Sequence, residues 1–278
     1  MGSLSSHDLV ESIGALLDEV AKSEVMPRFS GLTRNAVSQK TSAFDVVSEA
    51  DEGSEKLITD RLSRLFPTAI VVGEEATTRD PDLIGKVVIE ELVFVVDPID
   101  GTKNFVSGVP LFGTMIACVA KGETIFGAIH DPICATTAFG VRGEGAWIAG
   151  HDGAKQGLKV SAVADPREMH AVAGANFMPE PMRSRFLRNA TKLALSFWMR
   201  CCAHEYRMAA AGNCDLLVYN KLNPWDHLAG VLLHQEAGGY GAHLNGDPYR
   251  VGDLDGGLMC APSRDAWNAA HRMLFEGG

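Results

Sequence analysis

The residues best placed to do chemistry are Asp97 and Asp100, in the run Asp97-Pro98-Ile99-Asp100-Gly101-Thr102. They follow directly on an apolar stretch, residues 92–96, which predicts a buried strand that Pro98 stops. Carboxylates bunched at the end of such a strand are costly unless a cation neutralises them. A hard divalent ion does this, and Mg²⁺ in particular takes oxygen ligands while keeping positions open for water or phosphate. Gly101 lets the backbone approach an anion closely, and the amides after it can point at a phosphate. An acidic turn with Thr102 as a cap is the competing reading, and for an isolated D-x-x-D it would win.

Three other segments carry acids of the same kind. Gly73-Glu74-Glu75 follows the short apolar run at residues 69–72 and is either a second acidic strand end or a solvated turn. Asn223-Pro224-Trp225-Asp226 precedes a helical pattern at Leu228, Val231, Leu232 and Gln235, where Asp226 could equally be a helix cap. Asp51 heads a helix carrying Leu57, Ile58, Leu62 and Leu65, again with capping as the default role.

An alternating α/β chain must position these acids. Leu9, Val10, Ile13, Leu16, Leu17 and Val20 fall at helical spacing and predict a first amphipathic helix. A polar loop at 33–44 follows, then the Asp51 helix and the strand into Gly73. Residues 77–86 are charged and read as an exposed excursion; 111–120 and 124–130 read as strands joined across Lys121-Gly122. The glycine-rich stretch 140–153 reads as turns. Later elements are a strand at 171–175, helices at 180–195 and 203–211, strands at 216–219 and 258–261, and a terminal helix at 264–274.

Composition excludes more than it selects. The 278 residues suffice for one large or two small domains. With 25 basic and 35 acidic residues the net charge is −10, and no dense Lys/Arg run is present, which argues against a nucleic-acid surface. No apolar run approaches the ~20 residues of a membrane span, and no basic-then-apolar leader is visible. The six cysteines show no C-x-x-C and read as reduced packing residues of a cytoplasmic protein; the adjacent Cys201-Cys202 lacks the usual redox spacing. None of the nine histidines has metal-ligand spacing, and His204, His227 and His234 read as surface or satisfied core residues.

Taken together and in order, the four acidic segments resemble the inositol monophosphatase family, metal-dependent, lithium-sensitive phosphomonoesterases related to fructose-1,6-bisphosphatase. The family motifs D-P-I/L-D-G-T, G-E-E, and W-D followed by A-G and E-A-G-G match residues 97–102, 73–75, Trp225-Asp226 with Ala229-Gly230, and Glu236-Ala237-Gly238-Gly239. The resemblance runs from about residue 40 to the end, and it is the combination of motifs that is specific. It implies an α/β (α+β) fold, a layered α-β-α-β-α sandwich, with residues 1–157 as an N-terminal half and 158–278 as a C-terminal half completing the site. It further implies that Glu74, Asp97, the Ile99 carbonyl, Thr102, Asp100 and Asp226 hold two or three Mg²⁺ ions, with Glu75 reaching metal through water. Asp51 and Thr102 would orient and deprotonate a water, the Gly101 and Thr102 amides would hold phosphate, and Lys40 matches a basic loop residue over the site. Phosphoryl transfer needs positioning and charge neutralisation more than covalent help. In-line attack by water is therefore expected, with no phosphoenzyme and no catalytic Cys or His. The resemblance also implies a small phosphorylated substrate and a homodimer.

The alcohol is less well specified. The family contacts it at the start of a helix that here reads Arg200-Cys201-Cys202-Ala203-His204-Glu205, where inositol phosphatases carry R-x-x-G-S/T-A. Tyr219 stands where they hold an inositol-binding glutamate. Gly101-Thr102-Lys103-Asn104-Phe105 and Pro110-Leu111-Phe112-Gly113-Thr114 are closer to the histidinol-phosphate phosphatase branch. Glu205 or Asp215 could meet a cationic aminoalcohol, and Glu205 could equally be a solvated helix residue. A reading of another class, a non-catalytic protein or RNA-machinery binding module, is opposed by the complete metal set.

Overall fold

The computed structural model describes residues 5–29, 37–39, 46–150 and 153–276, with only the backbone described at 37–39 and 46–48. Lys40 and most of the polar loop expected at 33–44 lie outside the described residues. Helix α1 (Ser6–Val20) starts at Ser5, whose hydroxyl accepts the Asp8 amide, and buries Leu9, Ile13, Leu16, Leu17 and Val20 on one face. Beyond the antiparallel pair β1 (Val37–Gln39) and β2 (Val46–Ser48), helix α2 (Glu49–Leu65) buries Ile58 and Leu62.

Both helices cover one face of a seven-stranded sheet. Its strands are β3 (Ile70–Gly73), β4 (Leu92–Asp100), β5 (Gly113–Ala120), β6 (Glu123–Asp131), β7 (Thr136–Val141), β8 (Gly145–Gly150) and β9 (Lys155–Gly157), in that spatial order. Only β3 and β4 run parallel, so only they need a crossover, made by α3 (Glu74–Arg79) and α4 (Leu83–Ile89); α5 (Thr102–Val106) follows β4. A five-stranded sheet comes from the rest of the chain: β10 (His170–Ala173), helix α6 (Met182–Ala190), β11 (Leu195–Phe197), helix α7 (Cys202–Ala210), β12 (Leu216–Tyr219), helix α8 (Pro224–Glu236), β13 (Tyr240–Ala242), β14 (Leu258–Ala261) and helix α9 (Arg264–His271). Its spatial order is β11-β10-β12-β14-β13.

Side-chain alternation turns these elements into layers. On β4, Phe94 and Val96 point into the core under α1 and α2, while Val93 and Val95 point the other way, toward Tyr206, Ala229 and Leu233 of α7 and α8. Val172, Leu217 and Cys260 of the second sheet close that middle core; their neighbours Ala171, Leu216, Val218 and Met259 face Phe186 of α6 and Trp267 of α9. The result is the expected α-β-α-β-α sandwich. Among the described residues no helix is long and apolar enough to cross a membrane.

Four local expectations are corrected. β4 does not stop at Pro98 but runs to Asp100, because its register with β5 shifts between Asp97 and Asp100 and the irregularity absorbs a residue with no amide to donate. The buried Thr114 hydroxyl then donates to the Pro98 carbonyl at 2.8 Å. Residues 140–153 are not only turns: β8 pairs with β7 across the Gly143 and Gly145 turn. The helix expected at 180–195 ends at Ala190, and residues 195–197 instead add a parallel strand to the edge of β10. Residues 77–86 include the end of α3 and the start of α4, with Thr77 buried.

Helix α8 lies almost on the sheet. A Cβ at Gly127 of β6 would come within 2.8 Å of the Ala229 carbonyl, and one at Gly140 of β7 within 2.8 Å of the Leu233 Cα. Both obstacles are backbone, so relief requires the helix to move. Gly127→Ala is expected to destabilise the protein by about 1–3 kcal/mol, read as a lower urea midpoint at unchanged m-value; an unshifted midpoint would show that α8 is not held by this contact.

Candidate active site

The irregular end of β4 and the first turn of α8 meet. Carboxylate oxygens of Asp97, Asp100 and Asp226 all lie within 4.8 Å of one another. Glu74, the first residue of α3, and Asp51 of α2 add their negative charge to the field at Asp97. β4 and α8 thus meet at one point, with α2 and α3 near enough for their acids to act on it.

That point is buried, and the electrostatics follow. Burial, reinforced by the charges of Glu74, Asp100, Asp226 and Asp51, pushes the Asp97 carboxyl well above the ordinary carboxylate range. Its Oδ1 is buried with no hydrogen-bond partner among the described residues. Asp100 is pushed up to about 6 by burial, opposed by the Ala203 amide, which donates to its Oδ2 at 2.6 Å. Asp226 is pushed up to about 7 by burial and then by Asp100, opposed by Lys221 and by the Asn223 amide group, 3.0 Å from its Oδ2. Like charges with an orphaned oxygen and an all-oxygen donor set fit a hard divalent cation rather than a soft one. The Cys201 thiol is no competitor: it is buried, its pKa is raised by that burial, and it points at the Asp100 carbonyl 3.6 Å away.

Gly101 bridges the acids and α5. It sits at φ 89°, the left-handed region that favours glycine, and a Cβ there would meet the Leu111 carbonyl at 2.8 Å and the Cys201 side chain at 3.2 Å. The Thr102 hydroxyl donates to the Ile99 carbonyl at 3.0 Å, which places these two groups side by side. Asn104 then ties the loop down, donating to the carbonyls of Leu111 and Met199, each at 2.9 Å.

Sequence reasoning missed Glu55. One turn after Asp51 on α2, its carboxylate accepts the amides of Glu75 and Ala76 at 2.7 and 2.8 Å, capping α3, with Arg79 3.6 Å away. This contact fixes Glu74 and Glu75 relative to the β4 acids. In the sequence Glu55 looks like any helix-surface acid; the Asp51/Glu55 spacing on one helix face was the only available signal.

On the side expected to meet the alcohol, the structure corrects one alternative and fills in the rest. Glu205 is not a solvated helix residue: it is fully buried, accepting the Tyr219 hydroxyl at 2.9 Å and the Met199 amide at 3.1 Å. Burial, then the charge of Asp100, pushes it up to about 8. Ala203 reaches the site through its amide, and His204 is engaged with the Phe112 carbonyl at 3.1 Å. His227 is a satisfied core residue between the Tyr206 hydroxyl at 3.0 Å and the Lys221 carbonyl at 2.8 Å. His234 is buried too, but its Nδ1 has no hydrogen-bond partner among the described residues, so it is core without being satisfied there.

Comparison with known proteins bears on the family and the fold. A family model described as the inositol monophosphatase family matches residues 8–275. The inositol-1-monophosphatase of Bacillus subtilis is 27% identical over 274 residues, covering 94% of this chain and 95% of that protein. The histidinol-phosphatase of Chlorobaculum parvum is 32% identical over 197 residues, 69% of this chain and 70% of its own. The crystal structure of the extragenic suppressor protein suhB from Bartonella henselae superposes with a TM-score of 0.79 at 26% identity, covering 97% of this chain and 99% of that one.

The raised carboxyls make stability depend on pH. Between the unfolded carboxylate value near 4 and the folded values, the folded state binds more protons than the unfolded one, so stability falls as pH rises. Asp100 and Asp226 place that loss between about pH 4 and 7. In chelator, Tm is expected to drop by roughly 5 °C or more between pH 5 and pH 8, and Asp226→Asn should flatten the drop. A Tm that rises over this interval would contradict the electrostatic account.

Proposed function

This chain belongs to the inositol monophosphatase family, and from that premise we propose that it is a Mg²⁺-dependent phosphomonoesterase acting on a small phosphorylated alcohol of the inositol monophosphate type. The observation that carries the proposal is the buried meeting of Asp97, Asp100 and Asp226 beside the left-handed turn at Gly101. Glu74, Asp97, the Ile99 carbonyl, Asp100 and Asp226 are the groups that would hold two or three ions. Bound there, divalent cations supply charge neutralisation for the phosphate and lower the pKa of water toward neutrality.

The protein's own residues supply the rest. Backbone amides at Gly101 and Thr102 receive phosphate oxygens, with the glycine conformation setting their direction. Thr102, its hydroxyl aligned on the Ile99 carbonyl, orients the attacking water, and Asp51 takes its proton. Cys201 and Cys202, whose thiol pKa values burial raises, stay out of the reaction. Attack is in line with the departing alcohol and forms no phosphoenzyme. The same reading makes the enzyme a lithium-sensitive, cytoplasmic homodimer whose halves, 1–157 and 158–278, share the site.

A second reading of the alcohol, a cationic aminoalcohol such as histidinol, is favoured by one observation. Glu205 places a buried carboxyl, braced by Tyr219, one turn of α7 beyond the Cys201 that packs on Asp100. Both readings are tested by phosphate release, with Mg²⁺ and with or without Li⁺, from inositol 1-phosphate, histidinol phosphate, fructose 1,6-bisphosphate and β-glycerophosphate. One substrate should exceed the others by about a hundredfold, ~2.7 kcal/mol of discrimination. If histidinol phosphate leads, Glu205→Gln should lower its kcat/KM relative to the inositol ester; an unchanged ratio removes Glu205 from specificity.

Asp97→Asn is expected to cut turnover roughly a thousandfold or more, at least ~4 kcal/mol of transition-state stabilisation, without loss of fold. Uniformly negligible rates in the unmodified protein would instead move the non-catalytic binding-module reading to the front.

A further inference from the structure

We propose that a cleft on the far side of α8 from Asp226 is a second binding site, for a small organic anion with an apolar body. The cleft has a volume of about 340 Å³, within the range of small-molecule pockets. Its floor follows Leu228, Val231 and Leu232 of α8, which are almost wholly buried, with Tyr249 and Val251 at its side, so the surface it offers mixes polar and apolar groups. Its rim carries Arg142 and Arg250.

The two arginines are what make the cleft selective. Arg142 donates its Nε to the Thr124 carbonyl at 2.8 Å, which sets the plane of the guanidinium, and its terminal nitrogens have no ion-pair partner among the described residues. The Arg250 guanidinium has no ion-pair partner among the described residues. Glu123 also borders the opening, so the local balance is two cations to one acid in a chain of net charge −10. Unpaired guanidiniums in planar, directed geometry recognise carboxylate, sulfonate or phosphate groups. The turn bearing Arg142 is also held in place: Glu236, at the end of α8, accepts the amides of Gly143 and Gly145 at 2.9 and 3.0 Å.

The cleft is separate from the acidic site. At about 100° per residue, Leu228, Val231, Leu232 and Gln235 form one stripe on α8, and Asp226 falls about half a turn away on the opposite face. The β5–β6 turn at Gly122, which closes the cleft, lies beside Leu92 at the start of β4. Asp97 is five residues further along that strand, roughly 17 Å away. An anion in the cleft is therefore outside the ring of carboxylates that would repel it.

The test is a fluorescence titration with 8-anilinonaphthalene-1-sulfonate, which joins one anionic group to an apolar body. Saturable binding at one site per chain is expected. It should weaken at least tenfold in an Arg142→Gln/Arg250→Gln variant and persist in Asp97→Asn. Both arginines are exposed, so the fold should tolerate the change; the single Arg250→Glu variant should show the same direction of effect if the double variant unfolds. Equal affinity in the arginine variants, loss of binding in Asp97→Asn, or no saturable signal would each overturn the proposal.

Discussion

The structure is organised around negative charge that water does not screen. Asp97 lies buried in the field of Glu74, Asp100, Asp226 and Asp51, and one of its oxygens has no hydrogen-bond partner among the described residues. Such a grouping is unfavourable by itself, since desolvation and repulsion act in the same direction. It persists because the surrounding elements are fixed by contacts that do not depend on it. Asp97 and Asp100 stand on a strand buried on both faces, and Asp226 on a helix pressed against sheet glycines. Glu74 opens a helix capped by a carboxylate from a different helix. A cation held there would meet acids already fixed in position by the fold.

The layers serve the same end. The middle core, shared by both sheets and by α7 and α8, carries the two elements that bring the second half of the chain to the end of β4. The Ala203 amide, at the start of α7, reaches Asp100, and the first turn of α8 delivers Asp226. Asp100 and Asp226 therefore both report on how that one middle layer packs against the end of β4. Small shifts in α8 translate directly into the spacing of Asp226 from Asp97 and Asp100.

Much of this was legible in the sequence because it is local. The unbroken apolar run at 92–96 reads as a buried strand, and the motif acids follow it within a few positions. The glycine after Asp100, read as letting the backbone approach an anion closely, sits in the left-handed region at φ 89°. What stayed hidden is set by partners remote along the chain. Pro98 remains within a strand because β5 adjusts its register, and Glu55 matters because α3 arrives twenty residues later. Glu205 looks solvent-facing by composition, yet Tyr219 and Met199 enclose it. Residues 195–197 pair with β10, a partner that helical periodicity does not reveal.

The most direct measurement is the melting temperature of the unmodified protein and of Asp97→Asn, each in chelator and in Mg²⁺. If uncompensated charge is the central constraint, removing one buried acid raises Tm in chelator, and Mg²⁺ raises Tm only while Asp97 is present. A variant that melts lower than the unmodified protein in chelator, or that gains as much from Mg²⁺, would contradict the account.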